Sequence, residues 1–160
     1  MNRFIYSLML YFSVPFAILR LLLRDTHDSS WKRKLKNQLG IVQKISGQVI
    51  WIHCVSVGEF NASKPLIDKL FIQYSDHQIV VSTTTITGSI AVNKHYKSKV
   101  IHCFFPFDIP LIINSYVNKI NPEICILLET EIWPNLIQSL KKKSIPVVLI
   151  NARLSEKSFH

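Results

Sequence analysis

The sequence predicts a doubly wound α/β domain, a mostly parallel Rossmann-like sheet, preceded by an apolar amino-terminal helix. Three observations predict it. From Gln48 onward five apolar runs alternate with stretches of helical spacing, the pattern of repeated strand–helix units joined by right-handed crossovers. The runs, at 49–55, 78–82, 99–104, 123–128 and 145–150, are nearly continuous in Val, Ile and Leu, as parallel strands buried on both faces require. Each run ends in a cluster of hydroxyls, amides or carboxylates, and in a parallel sheet those ends share one ligand-binding rim. A chain of 160 residues is long enough for one such domain with a proper core.

Taken in order, residues 4–23 are mostly apolar, interrupted by Pro15 and Arg20. About 20 residues matches a bilayer core at helical rise. Pro is tolerated in membrane helices, and an Arg near the end snorkels to the headgroups. No small-x-small cleavage site follows, which argues against a cleaved signal peptide. Residues 1–24 are therefore read as a membrane anchor, spanning or interfacial, against the alternative of an apolar first helix docked on the domain. Arg24, Lys32, Arg33, Lys34 and Lys36 follow the span, against Arg3 before it, which puts the bulk of the chain in the cytoplasm. Within the juxtamembrane segment 25–47, Ser29 or Ser30 caps a short basic helix over 31–39 that Gly40 ends. Its cations face either anionic lipid or solvent.

The globular part is expected over residues 48–160. Its helices are predicted at 60–74, 87–95, 109–119 and 133–142, with Asp108 as N-cap of the third and Pro134 in the first turn of the fourth. Lys plus Arg number 19 and Asp plus Glu 10, a net +9, which suits an anionic partner such as lipid or a phosphorylated ligand. The charge is dispersed, without an Arg-rich run interleaved with aromatics, so no nucleic acid is expected. Cys54, Cys103 and Cys125 stand far apart in apolar runs with no CxxC pair. They read as free core thiols in a reducing compartment, with no metal site and no disulfide. His53 and His102 lie inside strands and read as core residues.

The candidate chemistry collects at the strand ends. The first ends in Ser56, Val57, Gly58 and Glu59. An acid beside a helix N-terminus is favoured in its ionised form, and is either a general base or a cap. The second ends in Thr84, Thr85, Thr87, Gly88 and Ser89, either an anion cradle at a helix start or a hydrogen-bonded turn. Neither GxxxxGK[ST] nor GxGxxG occurs. At the fourth, Glu129 and Glu131 flank Thr130 and share a face if the chain is extended there, with Asn135 just beyond. After the fifth, Arg153 pairs either with one of these acids or with a ligand phosphate.

The motifs WIHCVSVGEFNASKPLI at 51–67, VVSTTTITGS at 80–89, FFPFD at 104–108, LLETEIWPNLI at 127–137 and PVVLINARLSEKS at 146–158 resemble the amino-terminal half of bacterial Kdo (3-deoxy-D-manno-octulosonic acid) transferases. Five collinear motifs, with the apolar start and trailing basic helix, extend the resemblance over nearly the whole chain. It implies a GT-B fold, two Rossmann-like domains around a cleft, on the cytoplasmic face of the inner membrane. The amino-terminal domain would hold the acceptor, a lipid A precursor, and the carboxyl-terminal domain the donor CMP-Kdo, with no metal or other cofactor. It further implies Glu59 as the base that deprotonates the acceptor hydroxyl while CMP leaves with inversion. Glu129 would stabilise the oxocarbenium-like transition state, with Glu131 second to it for that role. Ser56, Gly58, Thr84, Thr85, Thr87, Gly88, Ser89, Glu131, Asn135 and Arg153 would contact the acceptor. Family members carry a second domain of similar size, so this chain alone is expected to be inactive, as a fragment or as half of a two-chain enzyme. The rival class is a non-enzymatic, membrane-tethered α/β module that binds a phosphorylated lipid. A third reading is a soluble flavodoxin-like or nucleotide-binding domain.

Overall fold

A computed structural model describes residues 2–22, 29–129 and 131–152. Two helices, α1 (Arg3–Leu22) and α2 (Ser29–Gln38), lead into the alternating part. That part runs β1 (Val49–His53), α3 (Val57–Gln73), β2 (Gln78–Thr83), α4 (Ile86–Tyr96), β3 (Ile101–Phe104), α5 (Pro110–Ile120), β4 (Ile124–Leu128), α6 (Pro134–Lys142) and β5 (Val147–Ile150). All strand pairs are parallel, in the order β3-β2-β1-β4-β5. The chain winds outward from β1 to β3, then returns to lay β4 against the other side of β1. Strand order therefore reverses between β1 and β4, and the crevice above such a reversal is where ligands bind in open α/β sheets.

Both faces of the inner strands are covered, which explains why they read as unbroken apolar runs; the edge strand β5 is not, with Val148 and Leu149 exposed. Successive β1 residues alternate between two cores. Val49 and Trp51 join Ile113, Tyr116 and Ile120 of α5 and Leu136 and Leu140 of α6. Ile50, Ile52 and Cys54 join Phe60 and Ile67 of α3 and Val92 and Tyr96 of α4. Trp51 is fully buried, and its indole N–H donates to Ser82 Oγ at 2.8 Å. Truncating it to Ala would cost about 3–5 kcal/mol, the usual range for a large core aromatic. The three cysteines are buried and free, as read from the sequence.

Local chemistry sets the helix ends. Gly40, at φ +76°, closes α2. A Cβ there would stand 3.0 Å from the Ile112 carbonyl oxygen, so glycine alone fits. Pro134 opens α6, as expected. Asp108, however, does not cap α5. Ile109 occupies that N-cap position without a side-chain bond, and Pro110 follows in the first turn. Asp108 instead accepts from the Asn135 and Leu136 amides at 3.0 and 2.8 Å, so it caps α6 from 27 residues away. The start of α3 also differs. It begins at Val57, three residues earlier than predicted, which places Gly58 and Glu59 inside its first turn.

The amino-terminal helix packs along the domain. Val14 is buried, Ser7 Oγ donates to Asn135 Oδ1 at 3.1 Å, and the Tyr6 phenol sits against the Asp108 carboxylate. Burial first, and that carboxylate second, push the phenol's pKa up. Phe4, Met9, Phe12 and Phe16 on the same helix are exposed. Among the described residues no helix is long and apolar enough to cross a membrane.

Candidate functional site

The carboxyl rim is built first from β1. Ser56, in an extended conformation, caps α3, and its Oγ accepts from the Glu59 amide at 3.4 Å. Glu59 answers in kind. Its Oε2 accepts from the Val55 amide at 2.8 Å and its Oε1 from the Ser56 hydroxyl at 3.1 Å. This is a variant of the capping box, with the acid's return bond made to the amide one residue before the N-cap, and the S-x-x-E spacing was a signal for it in the sequence. The same bonds hold the carboxylate, 7% exposed, in one place at the end of the central strand. Gly58 is exposed, and a Cβ there would meet only Ser56 Oγ at 3.7 Å. Packing therefore makes no demand for glycine at 58.

The threonine turn is tied to the same strand end. Thr84 Oγ1 donates to the Val55 carbonyl at 2.9 Å, the Thr84 amide at 3.3 Å and Thr85 Oγ1 at 3.4 Å. Thr85 caps α4, accepting from the Gly88 amide at 3.0 Å. A Cβ on Gly88 would fall 2.9 Å from Thr85 Oγ1 and 3.1 Å from Thr83 Cβ, so this glycine is required by the cap itself. Thr87 is exposed at the rim, with Oγ1 3.4 Å from that of Thr85. The first amides of α4 have no intrahelical acceptors, as at any helix start. Ser89 turns away from the rim. Its hydroxyl accepts from Arg33 at 3.1 Å.

Across the strand-order reversal, β4 supplies the other carboxylates. Glu129 has φ +59°, a left-handed conformation that costs a non-glycine residue about 1 kcal/mol or more. Its amide donates to Ile150 O at 2.9 Å. The chain is thus not extended at Glu129, and the simple alternation argument for Glu129 and Glu131 does not apply. Glu131 nevertheless lies close enough to both Glu59 and Glu129 to feel their charge. Glu131 is half-buried, and its pKa is raised by burial first, then by the negative charge of Glu59, and further by Glu129; the adjacent Trp133 indole partly offsets this. Glu131 therefore stands between the negative charges of Glu59, after β1, and Glu129, after β4, at the end of the sheet where the strand order reverses.

Asn135 is 2% exposed and faces inward. Its Nδ2 donates to the Asp108 carbonyl at 2.6 Å and its Oδ1 accepts from Ser7. Arg153 and Thr130 lie outside the described residues. His53 is buried, stacked 4.1 Å from the Phe105 ring, with Nδ1 2.9 Å from Ser82 Oγ. Burial drives its pKa down to about 3. His102 is not a plain core residue: it bridges Arg33 and Thr83 Oγ1 at 2.9 and 3.0 Å. Sequence reasoning missed this cluster and the Asp108 node, because both join residues remote in sequence. It also missed Trp133, whose indole lies beside Glu131 and opposes the rise in its pKa.

Residues 30–160 match the family model described as 3-deoxy-D-manno-octulosonic-acid transferase (kdotransferase). A 3-deoxy-D-manno-octulosonic acid transferase of Haemophilus influenzae is 36% identical over all of this chain and 38% of its own length. A bifunctional glycosyltransferase/methyltransferase of Fusobacterium nucleatum is 40% identical over 70% of this chain and 18% of its own. A probable mitochondrial 3-deoxy-D-manno-octulosonic acid transferase of Arabidopsis thaliana is 35% identical over 83% and 29%. The chain spans between about a fifth and two fifths of the length of these relatives. By motif, family match and identity, this chain belongs to the 3-deoxy-D-manno-octulosonic-acid transferase family and corresponds to its amino-terminal portion.

Proposed function

We propose that this chain forms the acceptor-binding part of a glycosyltransferase of lipopolysaccharide biosynthesis, which moves Kdo from CMP-Kdo to a lipid A precursor. The observation that supports the reading is that Glu131 feels the charge of both Glu59 and Glu129 at the carboxyl ends of the adjacent strands β1 and β4. Glu59 takes the proton from the attacking acceptor hydroxyl. Glu129 offers negative charge to the oxocarbenium-like sugar. Glu131, its pKa raised, completes the acidic wall. The product is inverted at the anomeric carbon, and no metal takes part. Ser56, Gly58, Thr84, Thr85, Thr87, the Gly88 turn and Arg153 line or flank the acceptor's path. Ser89 and Asn135 support it from behind through Arg33 and Asp108.

The donor CMP-Kdo, on this reading, is held by a portion of the longer relatives that these 160 residues do not match. The exposed apolar face of α1, with Phe4, Met9, Phe12 and Phe16, and the basic α2 fit an anchor lying in the cytoplasmic interface of the inner membrane. A transfer assay tests the division of labour. A chain of the relatives' length carrying this sequence is expected to transfer Kdo, and the 160-residue chain alone is not. Transfer by the 160 residues alone would overturn it.

A further inference from the structure

A cleft of about 490 Å³ opens beside the β3 edge, toward the amino ends of the strands and away from the carboxyl rim. Its volume lies in the range of small-molecule sites. Arg33 and Lys44 supply its charge, none of its lining residues is acidic, and Val42, Ile45 and Ile101 form an apolar wall. The Arg33 guanidinium is fixed rather than free. Its Nη2 donates to Ser89 Oγ at 3.1 Å and to His102 Nδ1 at 2.9 Å, and its Cζ lies 5.5 Å from the centre of the Phe104 ring. A guanidinium only donates, so His102 Nδ1 accepts, and the ring is neutral with its proton on Nε2, toward Thr83 Oγ1. The bonded partners are therefore both uncharged. Among the described residues, no acceptor bonds Nε or Nη1 of Arg33 and no carboxylate pairs with it.

A cation held in place by neutral groups, beside a second cation and an apolar wall, is complementary to an anion with an apolar or sugar body. A phosphomonoester carries between one and two negative charges at neutral pH and several strong acceptor oxygens, which matches two cations with spare donors. We propose that this cleft binds a phosphomonoester, its phosphate between Arg33 and Lys44 and its body against Val42, Ile45 and Ile101. The site is distinct from the carboxylate crevice and goes beyond the transfer reaction assigned there.

The test is calorimetric titration of the 160-residue chain with phenyl phosphate, beside co-sedimentation with phosphatidylcholine vesicles that contain phosphatidic acid. Saturable phenyl phosphate binding is expected, weakened about tenfold or more by Arg33→Gln and several-fold by Lys44→Gln, consistent with loss of one charge-assisted contact. Lys69→Gln, an exposed lysine of α3 outside the cleft, should change it less than twofold. Lys44 is exposed and makes no hydrogen bond to the described residues, so Lys44→Gln keeps the test valid if Arg33→Gln unfolds. Vesicle binding that also falls with Lys44→Gln identifies a lipid headgroup as the source. Phenyl phosphate binding with vesicle binding indifferent to Lys44→Gln identifies a soluble ligand. Absence of saturable phenyl phosphate binding, or equal weakening by Lys69→Gln and Lys44→Gln, would overturn the proposal.

Discussion

Replacing Glu59 by Gln separates the two roles its geometry allows. As a cap, Glu59 accepts from the Val55 amide and the Ser56 hydroxyl. Gln keeps one acceptor oxygen and loses the other, together with the charge at the helix start. A lost charge-assisted bond of this kind costs about 1–2 kcal/mol, or about 3–6 °C in melting temperature for a chain of this size. A domain stable by several kcal/mol stays almost fully folded after such a loss. A capping role alone therefore leaves turnover within about twofold of wild type. As a general base, Glu59 contributes about 10²–10⁴ in rate, equivalent to about 2.7–5.5 kcal/mol of barrier. The assay is Kdo transfer by a chain of the relatives' length, read beside thermal melts. Tyr96→Phe is the matched control. It removes the hydrogen bond to Asp68 at 2.9 Å at about 1 kcal/mol, remote from the rim. The account predicts similar melting shifts for both variants and a rate loss of at least about a hundredfold for Glu59→Gln only. A Glu59→Gln enzyme with turnover close to that of Tyr96→Phe would refute the catalytic role.

Further outcomes follow from the same structure. Gly58→Ala meets only Ser56 Oγ, at 3.7 Å, and should leave the melting temperature unchanged or raise it, whereas Gly88→Ala collides with Thr85 and Thr83 and should lower it by several degrees; matched melts read both. A fall in acceptor affinity for Gly58→Ala would show that a ligand approaches the backbone there. Asp108→Ala strands the Asn135 and Leu136 amides and should cost about 2–4 kcal/mol in denaturant unfolding, with a loss below about 1 kcal/mol contradicting the capping node. His102, its pKa pushed down to about 3 by burial first and then by Arg33, is neutral in the fold. The stability it contributes is present above its unfolded pKa of about 6.5 and is lost as pH falls toward 3. At pH 4.5 a two-unit gap corresponds to at most about 2.7 kcal/mol, nearer 2 after solvent screening. His102→Gln should flatten the stability profile between pH 6.5 and 4.5 by that amount, and an unchanged profile would contradict it.

The fold was legible because its signals are local. Continuous Val, Ile and Leu runs marked buried parallel strands, and Gly40 and Pro134 marked helix ends, whereas the start of α3 at Val57 was read three residues late. What escaped the sequence depends on tertiary contact. Asp108 looks like a cap for the helix that follows it, but the approach of α6 gives its carboxylate two better-placed amides. His102 looks like core until Arg33, 69 residues away, supplies a donor. Glu129 looks extended, yet its amide reaches Ile150 O with the backbone left-handed, and no residue type announces that. The nearness of Glu131 to Glu59 and Glu129 was legible only as a shared rim. Which of them approach one another follows from the strand order, which apolar runs do not encode.

The central claim, that the crevice above β1 and β4 receives the acceptor, is tested most directly by titrating the isotope-labelled 160-residue chain and following its backbone amides. A lipid A precursor is expected to shift the amides of residues 56–59, 84–88 and 129–133 saturably, while CMP-Kdo leaves them unchanged. Shifts produced by CMP-Kdo at those residues, or acceptor shifts confined to other surfaces, would contradict the account.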